Sequence, residues 1–177
     1  MADDGGEVGW YSVRHRALFP ITGISVSSSL RKSIRQGKFE VRFDTAFREV
    51  VQSCFRPEGN WLTEEFVEAY TECHRQGWGH CAEAWKEGEL VGGVYGLAIG
   101  SCFSAESMFH RETDASKVAL WALVEKCREQ GFTVFDAQVM NPHLASLGAY
   151  EVPAKEFLAM LADALGRDTE WGKGRPE

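Results

Sequence analysis

Cys81-Ala82-Glu83-Ala84-Trp85, the turn Lys86-Glu87-Gly88, and then Leu90-Val91-Gly92-Gly93-Val94-Tyr95-Gly96-Leu97-Ala98 read as a β-hairpin whose second strand spans Glu89 to Ile99. Two strand-forming runs joined by a short turn containing glycine are the signature of an antiparallel pair. Three glycines interrupt the second run. Glycine weakens a strand unless a bulge, a bend or a closely approaching backbone needs the missing side chain. Downstream, Ala105 to Phe109 is a further short strand, and Asp114 is placed to cap a helix from Ala115 to Gln130 that ends at Gly131. Phe132 to Val139 has the composition of a buried strand, and a last helix covers Ala154 to about Leu165.

Working upstream, Thr63 is positioned as an N-cap ahead of Glu64 and Glu65, acids that the positive end of a helix dipole favours. Phe66, Tyr70 and Cys73 form the apolar stripe of that helix, which Gly77 ends. Ala46 to Cys54 is a shorter helix stopped by the turn Arg56-Pro57-Glu58-Gly59. Lys38 to Phe43 alternates as a strand, and Ser25 to Ser29 reads as a polar loop or cap. The order strand–helix–helix–hairpin–strand–helix–strand–helix predicts an α/β domain with a central mixed sheet flanked by helices. The expected divisions are a disordered tail (1–9), a basic segment packed on the core (10–60), a catalytic body (61–166) and a polar, frayed tail (167–177).

The 177 residues fit one domain, and no apolar run approaches the roughly 20 residues of a membrane span. The acidic start, Met1-Ala2-Asp3-Asp4, is unlike a signal peptide. Five cysteines, widely spaced and without a C-x-x-C pair, argue against a disulfide framework or zinc ribbon and for a reducing, cytoplasmic setting. The net charge of −7 is unevenly spread: residues 10–48 carry +6, the first nine carry −3 and the remainder −10. Arg31, Lys32, Arg35, Lys38 and Arg42 lie in that basic sector. They could hold a phosphate backbone, or be a solvated surface without a partner.

Phe135-Asp136-Ala137-Gln138 is the strongest anomaly. Strand alternation would put Asp136 and Gln138 on one face of an otherwise apolar segment, where they must be hydrogen-bonded or line a cavity. Asn141 and His143 add polar groups where the strand ends. A structural network tying strand to loop would account for the same residues. Glu106 and Met108, in Glu106-Ser107-Met108-Phe109, would likewise share a face, and an acid there could recognise a cation or simply sit exposed at a strand edge. His15, His74, His80, His110 and His143 show no metal-ligand spacing, so no metal or other cofactor is expected. Among the tryptophans, Trp61, after Gly59-Asn60, is the best candidate for a ligand contact.

From the hairpin onward the element order resembles the GCN5-related N-acetyltransferase fold. That fold's glycine-rich pyrophosphate turn would fall at Arg111-Glu112-Thr113-Asp114-Ala115-Ser116, which has no glycine and carries two acids. The stretches Gly79-His80, Glu83-Ala84-Trp85, Leu90 to Gly96, Glu106 to Phe109, Ala115 to Leu120, Asp136-Ala137-Gln138 and His143 to Ala149 resemble, in order, the bacterial leucyl/phenylalanyl-tRNA–protein transferases. The resemblance implies transfer of an amino acid from aminoacyl-tRNA to an acceptor protein with a basic N-terminal residue, by a monomer that needs no membrane. It maps the bond-forming centre to Asp136 and Gln138 and substrate contacts to Glu106, Met108 and Asn141. It also implies an apolar donor pocket lined by Val94, Met108 and Phe135, near Trp61. The chain departs from the family in a shorter N-terminus and in changed pocket residues, which leaves open an altered donor or acceptor preference, or a non-catalytic module that binds N-termini.

Overall fold

The computed structural model describes residues 12–55 and 63–172. In chain order the elements are β1 (His15–Phe19), α1 (Ser28–Arg35), β2 (Glu40–Phe43), α2 (Phe47–Ser53), α3 (Glu64–Arg75), β3 (Gly79–Lys86), β4 (Glu89–Ile99), β5 (Cys102–His110), α4 (Ala115–Glu129), β6 (Val134–Gln138), α5 (Pro142–Ser146), β7 (Tyr150–Pro153) and α6 (Ala154–Leu165). The strands form one sheet in the order β2-β3-β4-β5-β6-β1-β7. Only β5 and β6 run parallel. This is the expected α/β architecture. Among the described residues no helix is long and apolar enough to cross a membrane.

The hairpin closes through Glu87 (φ 53°) and Gly88 (φ 85°), both left-handed, a geometry whose twist suits the flanking strands. Two of the strand glycines answer to close packing. A Cβ on Gly92 would lie 2.6 Å from Ala115 Cβ, so the first turn of α4 rests directly on β4. A Cβ on Gly96 would lie 2.2 Å from the Ser104 carbonyl oxygen. Here β4 pairs Tyr95 with Ser107 and Gly96 with Ala105, leaving Glu106 as the extra residue of a bulge.

One face of the sheet packs on α4, with Val94, Phe103, Leu120, Leu123, Val124 and Phe135 at its centre. The other face is covered in two separate patches. Helices α2 and α3 bury Val50, Val51, Val67, Tyr95 and Phe109 over β3 to β5. Helix α6 buries Leu18, Val134, Phe157 and Ala164 over β1 and β6. A polar strip of sheet lies between these patches. The buried Glu83 ties down the turn into α2, accepting from Thr45 N and Ala46 N at 2.7 Å and from Trp85 Nε1 at 2.8 Å.

Four elements escape the sequence reading: β1, α1, α5 and β7. In β1, Ala17, Leu18 and Phe19 are all buried, because the strand sits inside the sheet and shows no alternation. Segment 10–60 therefore supplies sheet strands as well as surface. Helix α1 buries only Leu30, with Ile34 half-buried behind it, and its charges mask that stripe; Ser27 does cap it, accepting from Leu30 N. Asp114 stands at the start of α4, but its carboxylate bonds Lys117 and Ser33 and no helix N–H. The polar tail is not frayed over its described part. Trp171 stacks on His80 at 4.3 Å and donates Nε1 to Asp44 Oδ2 at 2.7 Å. The expected tail 1–9, the turn 56–59, Trp61 and the last five residues lie outside the described residues.

Gly92→Val should lower stability by about 1–3 kcal/mol through overpacking against α4, read as a urea midpoint. An unchanged midpoint would contradict the close approach of α4 to β4.

Candidate functional site

The parallel ladder between β5 and β6 contains Cys102–Val134, Phe103–Phe135 and Ser104–Asp136, and there it ends. Gln138 then takes a left-handed backbone (φ 65°), unusual outside glycine, and Ala137 bulges from the register with β1. Gln138 thus leaves the simple alternation that would have set it beside Asp136. Its side chain reaches across the parting strands instead. Nε2 donates to the Ala105 carbonyl and to Glu106 Oε2, both at 3.0 Å. Both neighbours are acceptors, which assigns the amide orientation and leaves Oε1 as its remaining acceptor.

Asp136 is 2% exposed. Arg16 from β1 grips it in a fork, with Nε to Oδ1 at 2.9 Å and Nη2 to Oδ2 at 2.7 Å. Gln138 N donates to Oδ1 at 2.8 Å, so the carboxylate also fixes the backbone of the residue two positions on. Burial works against the Arg16 charge, but the hydrogen bond and charge of Asp136 outweigh it and raise its pKa. The guanidinium also lies 5.2 Å over the Phe157 ring.

Glu106 accepts from Tyr70 Oη at 3.0 Å as well as from Gln138. Ser104 Oγ lies between the two acids, 3.4 Å from Asp136 Oδ2 and 3.5 Å from Glu106 Oε1. Burial pushes the Glu106 carboxyl above its ordinary value, despite the opposing bonds from Gln138 and Tyr70. Burial, and then Glu106, push the Tyr70 phenol up as well. The polar strip of the sheet is therefore one connected network: Arg16, Asp136, Gln138, Glu106 and Tyr70, bridged by Ser104.

Asp136, Gln138 and Glu106 are brought together; the other expected contacts are not. Val94 and Phe135 are buried on the α4 side of the sheet, with Phe135 stacked on Phe103 at 5.2 Å. Met108 packs half-buried against the same cluster. The bulge at Glu106 breaks the alternation that would have put Glu106 and Met108 on one face. Asn141 caps α5, accepting from Leu144 N at 2.9 Å. Arg31, Lys32 and Arg35 are exposed on α1 and, with Ser28, line a surface hollow of about 340 Å³. Lys38 and Arg42 are engaged elsewhere, Lys38 with the Thr113 carbonyl at 3.1 Å and Arg42 with Glu40 at 2.8 Å.

At the start of α4, Glu112 pairs with Lys86 at 2.6 Å and Asp114 with Lys117 at 3.2 Å. These pairs occupy the place where a pyrophosphate cradle would be needed. Asp44, His74 and His80 bring one ligand atom each within 4.8 Å of one another. His80 already faces Asp44 Oδ2 and the Gly77 carbonyl, and Asp44 also accepts from Cys81 N and Trp171, so these two seat the tail, while His74 Nδ1 faces the Gly79 carbonyl. The residues missed from sequence are Arg16, Tyr70 and Ser104. A charged residue leading directly into Ala17-Leu18-Phe19 was the one available signal for Arg16.

Residues 18–162 match the family described as leucyl/phenylalanyl-tRNA protein transferase. A leucyl/phenylalanyl-tRNA–protein transferase of Herpetosiphon aurantiacus is 47% identical, over 92% of this chain and 86% of the relative. One of Rubrobacter xylanophilus is 45% identical, over 95% and 88%. Among solved structures, a functionally unknown conserved protein from Staphylococcus epidermidis aligns with a TM-score of 0.51 at 11% identity. It covers 78% of this chain and 57% of that protein, a likeness of fold alone.

Arg16→Met should destabilise the protein by about 3 kcal/mol, because it leaves a buried carboxylate without its counter-charge. Denaturant unfolding measures this. A loss below about 0.5 kcal/mol, the size of an exposed pair, would contradict the buried clamp.

Proposed function

Because the chain belongs to the leucyl/phenylalanyl-tRNA protein transferase family, we propose that it joins an amino acid from charged tRNA to the N-terminal α-amine of an acceptor protein at the Asp136–Gln138–Glu106 network. The product is a protein tagged for N-end-rule degradation. The observation that carries this reading is the network itself, in which Asp136 holds the Gln138 backbone while the Gln138 side chain spans to Glu106.

An aminoacyl ester is already activated, so the reaction needs positioning more than strong acid–base power. The neutral amine attacks the ester carbonyl, and the 3′ end of the tRNA leaves. Gln138 Oε1 accepts a hydrogen bond from the attacking amine. Arg16 and Asp136 keep the amide in place, and Glu106 helps hold the acceptor, whose first residue is basic. No cofactor is required, since the ester supplies the driving force. The exposed face of α1, with Arg31, Lys32 and Arg35, suits the tRNA backbone; Lys38 and Arg42 add charge nearby in sequence. The donor is leucine or phenylalanine in the family's manner. An altered donor preference is the second reading, favoured by the closed packing of Val94 and Phe135, positions that would line the donor pocket.

Labelled amino acids from a mixed charged-tRNA pool, offered to peptides differing only at residue one, test the proposal. Transfer should be abolished by RNase and reduced about 100-fold or more in Asp136→Ala and Gln138→Ala. Wild-type rates in both variants would overturn the site. Arg31→Glu with Arg35→Glu should raise KM for tRNA and flatten its salt dependence while sparing kcat; an unchanged KM would remove α1 from the tRNA contact.

A further inference from the structure

Forming an amide from an amine and an ester releases one proton from the attacking nitrogen, and some group must take it. Three side chains of the network stand close enough to compete. Gln138 is an amide: its oxygen can accept a hydrogen bond but is far too weak a base to remove the proton. Asp136 is closed off. Its oxygens already accept from the Arg16 fork, Gln138 N and Ser104, and its side chain is 3% exposed. Glu106 differs from both. Oε2 accepts from Tyr70 and Gln138, whereas Oε1 faces Ser104 Oγ at 3.5 Å, the outer limit of a hydrogen bond. That hydroxyl has one proton to share between Glu106 and Asp136. Glu106 is also half-buried, not sealed, and the β5 bulge turns it toward the strip between α3 and α6.

Resting on the transferase reading, we propose that Glu106 is the general base of the transfer. Oε1 takes the proton from the α-amine nitrogen as the new C–N bond forms. As the ester C–O bond breaks, the proton passes to the leaving ribose oxygen, which departs as a hydroxyl, and Glu106 is restored as a carboxylate. Gln138 then orients the amine, and Arg16 works as a positioning residue that keeps Asp136 occupied.

The groups facing Glu106 are Tyr70 from α3, Tyr95 from β4, Ser104 on its own strand, Asp136 and Gln138 from β6, and Arg16 from β1. Burial raises its carboxyl, Asp136 adds to this, and Gln138, Tyr70 and Arg16 oppose it; the outcome is a raised value. A carboxyl shifted toward neutrality is better matched to proton removal at cellular pH. The ionised form is the active one. Transfer should therefore fall again as pH drops through the raised Glu106 value, below the limb that protonation of the acceptor α-amine sets.

The test is single-turnover transfer from preformed aminoacyl-tRNA to a saturating lysine-initiated peptide across pH, for wild type, Glu106→Gln and Glu106→Asp. Peptide affinity is measured separately by fluorescence anisotropy. Glu106→Gln keeps shape and polarity, and its urea midpoint checks the fold. The proposal predicts that Glu106→Gln lowers the transfer step at saturating peptide about 10²–10⁴-fold, whatever its effect on peptide Kd. The limb set by protonation of the acceptor α-amine, at about pH 8, should remain in every variant; the further loss at lower pH should vanish from the Glu106→Gln profile, and Glu106→Asp should recover part of the rate and keep it. Loss confined to peptide Kd, with the transfer step and its whole pH profile unchanged in Glu106→Gln, would overturn it and leave Glu106 with the holding role alone. RNase-sensitive transfer by the wild type stands apart from these outcomes, so failure here leaves the transferase reading in place, whereas no wild-type transfer sinks both.

Discussion

Where β5 and β6 stop pairing, after Ser104 and Asp136, the parallel pair is left with backbone groups that have lost their ladder. Buried backbone polar groups must find partners, and the chain answers with side chains. Gln138 lends its amide to the Ala105 carbonyl, and the left-handed backbone that makes this reach possible is held by Asp136. Asp136 in turn can be buried only because Arg16 comes from β1 to neutralise it. The network is thus both the repair of a broken ladder and the one polar strip between the α2–α3 and α6 patches. Strain and bulges of this sort gather at functional sites.

The same opening explains the division of labour across the sheet. The α4 face is a closed apolar core in which Phe19, Phe103 and Phe135 pack ring to ring. It carries stability. The opposite face, split between two helical patches, leaves room for polar groups with restricted access to water. Burial there raises Glu106 and Tyr70. Charge that can meet a large polyanion lies elsewhere, on the exposed face of α1, whose apolar residues Leu30 and Ile34 pack inward. The segment leading into α1 bonds the end of α5, Ser25 N to the Leu147 carbonyl at 2.8 Å. The basic helix and the segment after β6 are therefore braced against each other.

Much of this was legible in the residues. The hairpin, α2, α3, α4 and α6 follow from periodicity and glycine stops, whereas Thr63 and Asp114 stand at the starts of α3 and α4 without a side-chain cap bond; the polar pair in an apolar strand marked Asp136 and Gln138. What periodicity could not show were effects of neighbours distant in sequence. β1 has no alternation because it is covered on both faces, and Arg16 finds Asp136 across 120 positions. The bulge at Glu106 shifts Met108 to the other face, a change that a period-two reading cannot register. Trp171 docks on Asp44 and His80 although the segment around it is polar. Of the residues expected to line a donor pocket, Val94 and Phe135 lie in the core on the α4 side, a placement that apolar composition alone does not distinguish from a pocket wall.

The central claim is that the acceptor's amine is seated between Gln138 and Glu106. A crystal structure with a lysine-initiated peptide and a non-hydrolysable aminoacyl-adenosine analogue tests it most directly. The account predicts the peptide α-nitrogen within about 3.2 Å of Gln138 Oε1 and Glu106 Oε1, facing the analogue's carbonyl carbon. An α-nitrogen bound away from both oxygens, with the carbonyl carbon out of its reach, would contradict it.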